Sequence, residues 1–409
     1  MQGERRFFRL CVKWLAKNYP EVIKRNIHNF PEYGRWDDLY ELVGTPCENE
    51  AFNFMKNQLE LDAVCKTPSL LAKWLKSENA SSKETQRLGA LTRSHFNMTP
   101  RQYRKALSIL RSRINIVEKL MSENRWDEIE FDKLPSKAGL TYRNAFARRD
   151  IIAKKYERFA SDKDTKVNAT TLYPYEVVEK AIQARHSSPT DRNIVNKYWE
   201  NLEDYFDGAT LNALAMVDTS DSMTWGNSPH PIDVAISLGL YCAERAKGPF
   251  ANHYISFSSR PQLIKCSGYD FCDKVSRIYS TNLCSNTDLE KAFDMILNVA
   301  KCNNLKQSDL PEKIIVISDM QIDSMTVKGE PSLTDMEKLR LSWAYEGYKM
   351  PQLVYWNVNA TQDTVLDGAN GVTYVSGCSP VIFDMIMTGK TGIDMMKEKL
   401  DGDRYKMVY

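Results

Sequence analysis

The chain has 409 residues, more than a single hydrophobic core usually supports, so its length predicts two domains. Apolar residues make up 43% and charged residues 26%, ordinary values for a soluble globular protein. No apolar run is long enough to span a membrane, and the charged N-terminus lacks the apolar segment of a signal peptide. Nine cysteines without paired spacings argue against a disulfide framework and a zinc site, so we expect a cytoplasmic protein.

The net charge of +2 conceals a division between the two halves of the chain. Residues 1–200 carry 36 Lys and Arg against 26 Asp and Glu, whereas residues 201–409 carry 19 against 27. A basic half is a candidate for binding nucleic acid. Lysine-rich helical surfaces also arise without any ligand, so charge alone leaves both interpretations open.

Up to about residue 206 the hydrophobic pattern is helical. The clearest helix begins at Thr99, which can cap it, with Pro100 at the first helical position and Gln102 completing a capping box. Its apolar stripe consists of Tyr103, Leu107, Leu110, Ile114 and Val117. Because no fixed sequence period recurs, we predict an all-α domain over residues 1–206, built as an irregular stack of antiparallel helix pairs.

After about residue 208, short apolar segments alternate with helical patterns. The predicted strands are Leu211–Val217, His253–Phe257, Ile314–Ser318, Leu353–Val358 and Val372–Val375. The predicted helices are Ile232–Ala246, Asp288–Ala300, Met336–Tyr345 and Pro380–Met387. This alternation predicts a parallel sheet covered on both faces, so we expect residues 207–409 to form a doubly wound, Rossmann-like α/β domain.

Three polar segments follow predicted strands of this domain. The first runs from Asp218 through Ser220 to Ser222, the second contains Thr287, and the third is Asp319. Ligand sites in such sheets lie outside the carboxyl ends of the strands. Carboxylate and hydroxyl oxygens suit Mg²⁺ or Mn²⁺ and not zinc. A capped turn explains Asp-x-Ser-x-Ser alone, but three such loops together favour a metal site.

Asp218-x-Ser220-x-Ser222, Thr287 and Asp319 resemble the metal-ion-dependent adhesion site of the von Willebrand factor A domain. The resemblance covers roughly residues 208–409. It implies that Ser220 and Ser222 contact the metal directly and that Thr287 binds it directly or through water. It also implies that Asp218 and Asp319 act largely through water.

The helical half has a resemblance of its own. The segments Tyr33–Leu39, Gln102–Lys105 with Leu110 and Arg111, and Leu134–Ala138 are similar to a poorly characterised family in which an all-helical region precedes a von Willebrand A domain. That family is a distant relative of the Ro autoantigen (TROVE) proteins. The resemblance implies HEAT-like repeats, which in Ro proteins form a ring that binds single-stranded RNA ends and small structured RNAs. It leaves open whether this chain completes a ring.

Two groups of basic residues are candidates for contacting RNA phosphates. On the helix from Thr99 they lie opposite the apolar stripe and consist of Arg101, Arg104, Lys105 and Arg111. The second group consists of Arg143, Arg148, Arg149, Lys154, Lys155 and Arg158. It is interleaved with Tyr142, Phe146, Tyr156 and Phe159. These aromatic side chains either stack on unpaired bases or belong to the core, and their helical spacing favours the core.

No residue pattern supports catalysis, because the histidines are scattered and no general base lies beside the metal loops, so we expect no enzyme activity. Two hypotheses therefore stand. The first is an RNA-binding protein whose basic helical scaffold contacts phosphates, with an A domain that closes the scaffold or recruits a partner. The second is a protein-interaction module whose metal ion captures an Asp or Glu carboxylate of a partner.

Overall fold

The computed structural model describes residues 5–114, 116–204, 212–226, 228–258, 260–280, 289–319, 333–359, 364–367, 372–380, 382–383, 386 and 392–408. The chain divides into two compact units. We call Met1–Ile129 with Lys397–Tyr409 the N-terminal unit and Glu130–Met396 the sheet unit. Over the described ranges, no helix is sufficiently long and apolar to cross a membrane.

The N-terminal unit is helical, as the sequence predicts. Its helices are α1 (Arg6–Asn18), α2 (Pro20–Asn26), α3 (Phe30–Tyr33), α4 (Glu48–Val64), α5 (Leu71–Trp74), α6 (Lys83–His95), α7 (Pro100–Arg113) and α8 (Val117–Ser122). Short 3₁₀ turns lie at Ile27–Asn29, Trp36–Leu42, Trp126–Glu128 and Asp403–Tyr405. One apolar core connects α1 to α7, and its fully buried members include Leu39, Phe52 and Tyr103. Burial of these large side chains is the main force that holds the short helices together.

Helix α7 begins where its local sequence predicts. The Gln102 backbone N–H donates to Thr99 Oγ1 at 3.3 Å, and the Thr99 N–H donates to Gln102 Oε1 at 2.8 Å. This capping box satisfies two backbone donors at the start of the helix. Tyr103, Leu107 and Leu110 are buried, so the predicted apolar stripe faces the core. Arg101, Arg104 and Lys105 of α7 are thereby directed away from the core.

The sheet unit begins with four more helices. These are α9 (Ser136–Arg148), α10 (Asp150–Ser161), α11 (Pro174–Gln183) and α12 (Pro189–Glu200). Helices α9, α10 and α12 pack on one another. Arg143 of α9 and Asp191 of α12 form a buried ion pair, with 2.8 Å between Nε and Oδ1. A buried pair of this kind fixes the two helices in one arrangement, because either charge alone is costly to bury.

A seven-stranded sheet follows. Its strands are β1 (Ala213–Val217), β2 (His253–Ser256), β3 (Leu263–Lys265), β4 (Lys313–Ser318), β5 (Gln352–Asn357), β6 (Thr364–Asp367) and β7 (Val372–Ser376). Their order is β3-β2-β1-β4-β5-β7-β6. The five central strands, which are β2, β1, β4, β5 and β7, are parallel. The edge strands β3 and β6 pair antiparallel with their neighbours. Strand β2 lies on one side of β1, and β4 lies on the other side of β1. The direction in which successive strands are added to the sheet therefore reverses between β1 and β4.

Helices cover both faces of the sheet. They are α13 (Pro231–Arg245) on one face and α15 (Leu289–Cys302) and α16 (Leu333–Tyr345) on the other. Helix α14 (Phe271–Ser280) packs on α11, α12 and α13, and α17 (Gly392–Leu400) continues into the N-terminal unit. Phe293 of α15 and Trp343 of α16 pack in one cluster with alternate residues of β1, β4 and β5. Val217 points to the other face, against Gly239 of α13. A Cβ atom at Gly239 would lie 2.4 Å from Val217 Cγ2, so the glycine permits close helix–sheet packing.

The structure confirms a helical region followed by a sheet with helices, and it corrects the sheet at both edges. The five predicted strands are the five parallel strands of the sheet, but the antiparallel edge strands β3 and β6 were not predicted, and only six residues join β2 to β3. A parallel pair needs a crossover of a dozen residues or more, so a short connection forces an antiparallel hairpin. The sequence analysis also missed α14 and α17. The predicted helix Pro380–Met387 lies largely outside the described residues.

The compact units differ from the predicted domains, which divide the chain at residues 206 and 207. The chain passes between units after Ile129, because the helices α11 and α12 pack against α13 and α14 of the sheet unit. The Trp199 ring stacks on Phe271 with centroids 4.1 Å apart, and its Nε1 donates to Glu244 Oε2 at 2.7 Å. Arg192 of α12 also pairs with Asp270 at 2.6 Å. Through these contacts of α11 and α12 with α13 and α14, residues 136–200 form a second layer of helices over α13.

Candidate metal centre and basic surfaces

Asp218 lies where the strand order of the sheet reverses. It follows β1 directly, and its backbone N–H donates to Ile317 O of β4 at 3.0 Å. Asp319 follows β4 in the same way, so the two aspartates end adjacent parallel strands. The carboxyl ends of strands at such a reversal form the usual ligand crevice of an open α/β sheet. The structure therefore places two of the five predicted metal ligands at the position expected for a ligand site.

The Asp218 carboxylate is buried and held by hydrogen bonds. Ser318 Oγ donates to Oδ2 at 2.6 Å, and the Ser220 N–H donates to Oδ1 at 2.9 Å. Burial raises the pKa of Asp218, and the charge of Asp319 raises this pKa further, while the two serine bonds lower it. The charge of Asp319 therefore disfavours the charged form of Asp218. A bound cation would offset both effects.

The two serines of the first loop lie close together. Ser220 Oγ and Ser222 Oγ are 3.2 Å apart, and both side chains are half-buried. An octahedral Mg²⁺ with oxygen ligands at about 2.1 Å places adjacent ligands about 3 Å apart. The separation of the serine hydroxyls therefore fits two neighbouring positions around one ion.

Met223 connects the loop of Ser220 and Ser222 to the residue that follows β4. Met223 lies in the 3₁₀ turn Asp221–Thr224, is fully buried, and its Sδ accepts a hydrogen bond from the Asp319 backbone N–H at 3.1 Å. This contact joins the first and third predicted segments. The second segment, with Thr287, lies outside the described residues.

The donor set of this centre is two carboxylates and hydroxyls. In the portion of the chain that the structure describes, no three His, Cys, Asp or Glu side chains gather into a metal-binding group. A site that relies on serine hydroxyls does not need three such side chains, and its oxygen donors suit a hard cation. The described residues Asp218, Ser220, Ser222 and Asp319 fit magnesium or manganese in chemistry and burial.

Ser318, which was not predicted from the sequence, also contributes to this cluster. Its hydroxyl makes the shortest hydrogen bond to Asp218, and only 2% of the residue is exposed. The signal was present in the sequence, because a polar residue ends an otherwise apolar strand. A serine in that position supports the carboxylate of the neighbouring strand.

The basic residues of α7 separate into two kinds. Arg101, Arg104 and Lys105 are exposed, and none has a hydrogen bond or ion pair within the described ranges. Arg111 instead donates to the carbonyl oxygens of Ala72 and Leu75, both at 2.8 Å, and to Ser77 Oγ at 3.0 Å. Arg111 therefore holds α5 against α7, and the exposed cationic row reduces to the first three residues.

The second basic group lies at the junction of α9 and α10. Arg148, Arg149, Lys154, Lys155 and Arg158 are all exposed, whereas Arg143 is buried in its ion pair with Asp191 and does not belong to this surface. Lys155 Nζ lies 5.5 Å from the centre of the Phe131 ring, a cation–π distance. The junction therefore presents positive charge in the sheet unit, separately from the row on α7.

The interleaved aromatic side chains belong to the core. Phe146 and Tyr156 are buried, with 0% and 2% of each residue exposed. Their ring centroids lie 5.5 Å from each other, and both rings contact Phe131. Base stacking by Phe146 or Tyr156 is therefore excluded, and the core alternative is confirmed for them.

Comparison with known proteins gives the following likenesses. Residues 212–407 match the model of a domain of unknown function (DUF7788), and residues 62–207 match another domain of unknown function (DUF2828). An uncharacterized protein of Acanthamoeba polyphaga mimivirus is 29% identical over 401 residues, covering 88% of this chain and 68% of that protein. The crystal structure of the Deinococcus radiodurans RO (RSR) protein is similar at a TM-score of 0.47 and 13% identity, covering 93% of this chain and 87% of that one. None of these likenesses assigns a ligand to the present chain.

Proposed function

We propose that the chain is a non-enzymatic RNA-binding protein of Ro-like architecture. In this proposal a HEAT-like helical scaffold contacts RNA phosphates, and an A-domain-like sheet unit holds a divalent cation and closes the scaffold or recruits a partner. The observation that carries the RNA proposal is the row Arg101, Arg104 and Lys105, which is exposed and has no partner within the described ranges.

The row is electrostatically unfavourable without an anionic ligand. Its members are three and four residues apart on α7, where like charges repel each other. Phosphates of a nucleic acid would relieve that repulsion, and their contacts carry little sequence information. Some other exposed cations of the same unit are paired, as Arg87 is with Glu84 at 2.7 Å and Arg125 with Glu128. Unpaired charge concentrated on one helix face favours a polyanionic ligand.

Filter binding with an unstructured single-stranded RNA over a range of salt concentrations tests the proposal. For single strands the log–log salt slope has a magnitude of about 0.7 for each phosphate that the protein neutralises. Replacing Arg101, Arg104 and Lys105 together with Ala should therefore weaken binding at low salt and flatten the slope by about 2 units.

The control variant removes the same amount of charge from paired positions. Arg87, Arg125 and Lys133 are exposed and pair with Glu84, Glu128 and Glu130. Replacing these three cations with Ala should leave the slope close to that of the unchanged protein. Equal effects of the two variants would mean that net charge alone governs binding, and no RNA binding at low salt would remove the proposal.

We also propose that Asp218, Ser220, Ser222, Thr287 and Asp319 hold Mg²⁺ or Mn²⁺. The 3.2 Å separation of the two serine hydroxyls and the two buried carboxylates support this assignment. When bound, such a cation supplies an electrophilic position that an acidic group can occupy. The second candidate function follows from it, namely capture of an Asp or Glu carboxylate of a partner protein.

Electron paramagnetic resonance of Mn²⁺ titrated into the protein tests the metal assignment. The expected result is one bound Mn²⁺ per chain, absent when Ser220 and Ser222 are both replaced with Ala. Ser228→Ala, which removes an exposed hydroxyl from the following segment, should leave the bound fraction unchanged. Equal Mn²⁺ binding by all three proteins would refute the site.

A further inference from the structure

A surface of the N-terminal unit is occupied by the end of the same chain. The rings of Tyr33 and Tyr405 stack with centroids 5.2 Å apart and an interplanar angle of 25°. Tyr33 Oη donates to the carbonyl oxygen of Arg404. Asn29 Nδ2 donates to the carbonyl oxygen of Met407 at 2.9 Å. Asn29 and Tyr33 together therefore bind one aromatic ring and two backbone carbonyls.

The docked segment has a shape of its own. The Tyr405 N–H donates to Gly402 O at 3.0 Å, and the Val408 N–H donates to Tyr405 O at 3.0 Å. Lys406 and Asp403 also form an ion pair within the turn. A turn that is organised before it docks loses less conformational entropy on binding. The ring of Tyr405 is thus presented from a preformed turn.

The contact buries little besides that ring. Met407 is 55% exposed and Val408 48% exposed. Segments with few buried apolar contacts open with a low free energy while the core stays folded. The docked turn therefore has the character of a reversible contact, in contrast to the fully buried core beneath it.

We infer that Asn29 and Tyr33 form a recognition site for a tyrosine-bearing turn, occupied reversibly by residues 403–408, which act as a clasp on the end of the chain. The chain leaves the N-terminal unit after Ile129 and returns to it at Lys397. The closed clasp fastens the returning end to the unit where the chain begins. When the clasp opens, residues 403–408 are released and the crossing after Ile129 still joins the two units.

Hydrogen exchange of the full chain, followed by mass spectrometry, tests the inference. We expect the amides of residues 403–408 to exchange more slowly than an unstructured peptide, yet far faster than those of β4. Tyr405→Ala should speed exchange of this segment at least about tenfold, because the variant has no ring to stack on Tyr33. Tyr33→Ala should do the same, and Tyr33→Phe, which removes only the Oη hydrogen bond, should give a smaller increase. Tyr345→Ala removes a tyrosine that is 90% exposed in the sheet unit and should change nothing.

Unchanged exchange in α7 shows that the Tyr33 variants still fold. At a single protein concentration, three results would overturn the inference. They are a segment as protected as β4, a segment without protection in the unchanged protein, and a Tyr405→Ala variant with unaltered exchange. Repeating the measurement over a range of protein concentrations distinguishes the occupant. Constant exchange supports the clasp within one chain, whereas protection that grows with dimer formation overturns it, because the turn of a second copy then fills the site.

Discussion

We expect the buried carboxyl group of Asp233, in the first turn of α13, to make the stability of the fold depend on pH. Only 5% of this residue is exposed. Burial raises its pKa from an ordinary value of 3.8 to about 6, the charge of Glu179 adds to the rise, and His230 opposes it. The folded state therefore holds the Asp233 proton more tightly than the unfolded state does.

The sign of the effect on stability follows from this difference. Below about pH 3 the carboxyl is mostly protonated in both states, and its burial carries no charge penalty. As the pH rises through about 6, the unfolded state ionises first and the folded state loses stability. At 1.36 kcal/mol for each pKa unit, the loss amounts to about 2 to 3 kcal/mol above pH 7.

Urea unfolding followed by tryptophan fluorescence measures the effect when Asp233→Asn is compared with the unchanged protein between about pH 4.5 and 7.5. The asparagine is neutral throughout, so the variant should gain stability relative to the unchanged protein as pH rises, by about 2 to 3 kcal/mol in total. Asp150→Asn alters an exposed carboxylate in the first turn of α10, and its difference should stay flat. A flat difference for Asp233→Asn would refute the reasoning.

Two further predictions concern packing and buried charge. Gly239→Ala should lower the free energy of unfolding by about 1 to 3 kcal/mol in urea, because the new Cβ overlaps Val217. Asp191→Ala should cost about 3 to 5 kcal/mol by calorimetric unfolding, because Arg143 is left as an unpaired buried charge. Replacing Asp191 with Leu and Arg143 with Met together should recover most of that stability, and an equally unstable double variant would contradict this explanation.

Local signals in the sequence were sufficient for several elements. Helix α7 begins at the predicted residue, because its capping box and proline act within one turn. Strands β1 and β4 end where predicted, since a carboxylate follows each apolar run. Parallel strands that are followed by aspartate bring Asp218 and Asp319 to one edge of the sheet, so the proximity of two of the five predicted metal ligands followed from pattern and topology together.

Other features depend on contacts between residues far apart in the sequence. A helical pattern does not reveal its partner, so nothing in α12 shows that Trp199 stacks on Phe271 and places α12 in the sheet unit. Arg111 has the same sequence pattern as Arg104 but finds carbonyl acceptors on α5. Edge strand β3 has only three residues, too few for a recognisable alternation. Helix α14, in contrast, carried an amphipathic pattern that the sequence analysis overlooked.

Photo-crosslinking tests directly whether RNA contacts the basic row Arg101, Arg104 and Lys105 on α7. Single-stranded RNA containing 4-thiouridine is bound at low salt and irradiated, and the crosslinked peptides are identified by mass spectrometry. We expect crosslinks within or next to α7 (Pro100–Arg113) that disappear when Arg101, Arg104 and Lys105 are replaced with Ala. Crosslinks confined to other parts of the chain, and unaffected by those substitutions, would contradict this expectation.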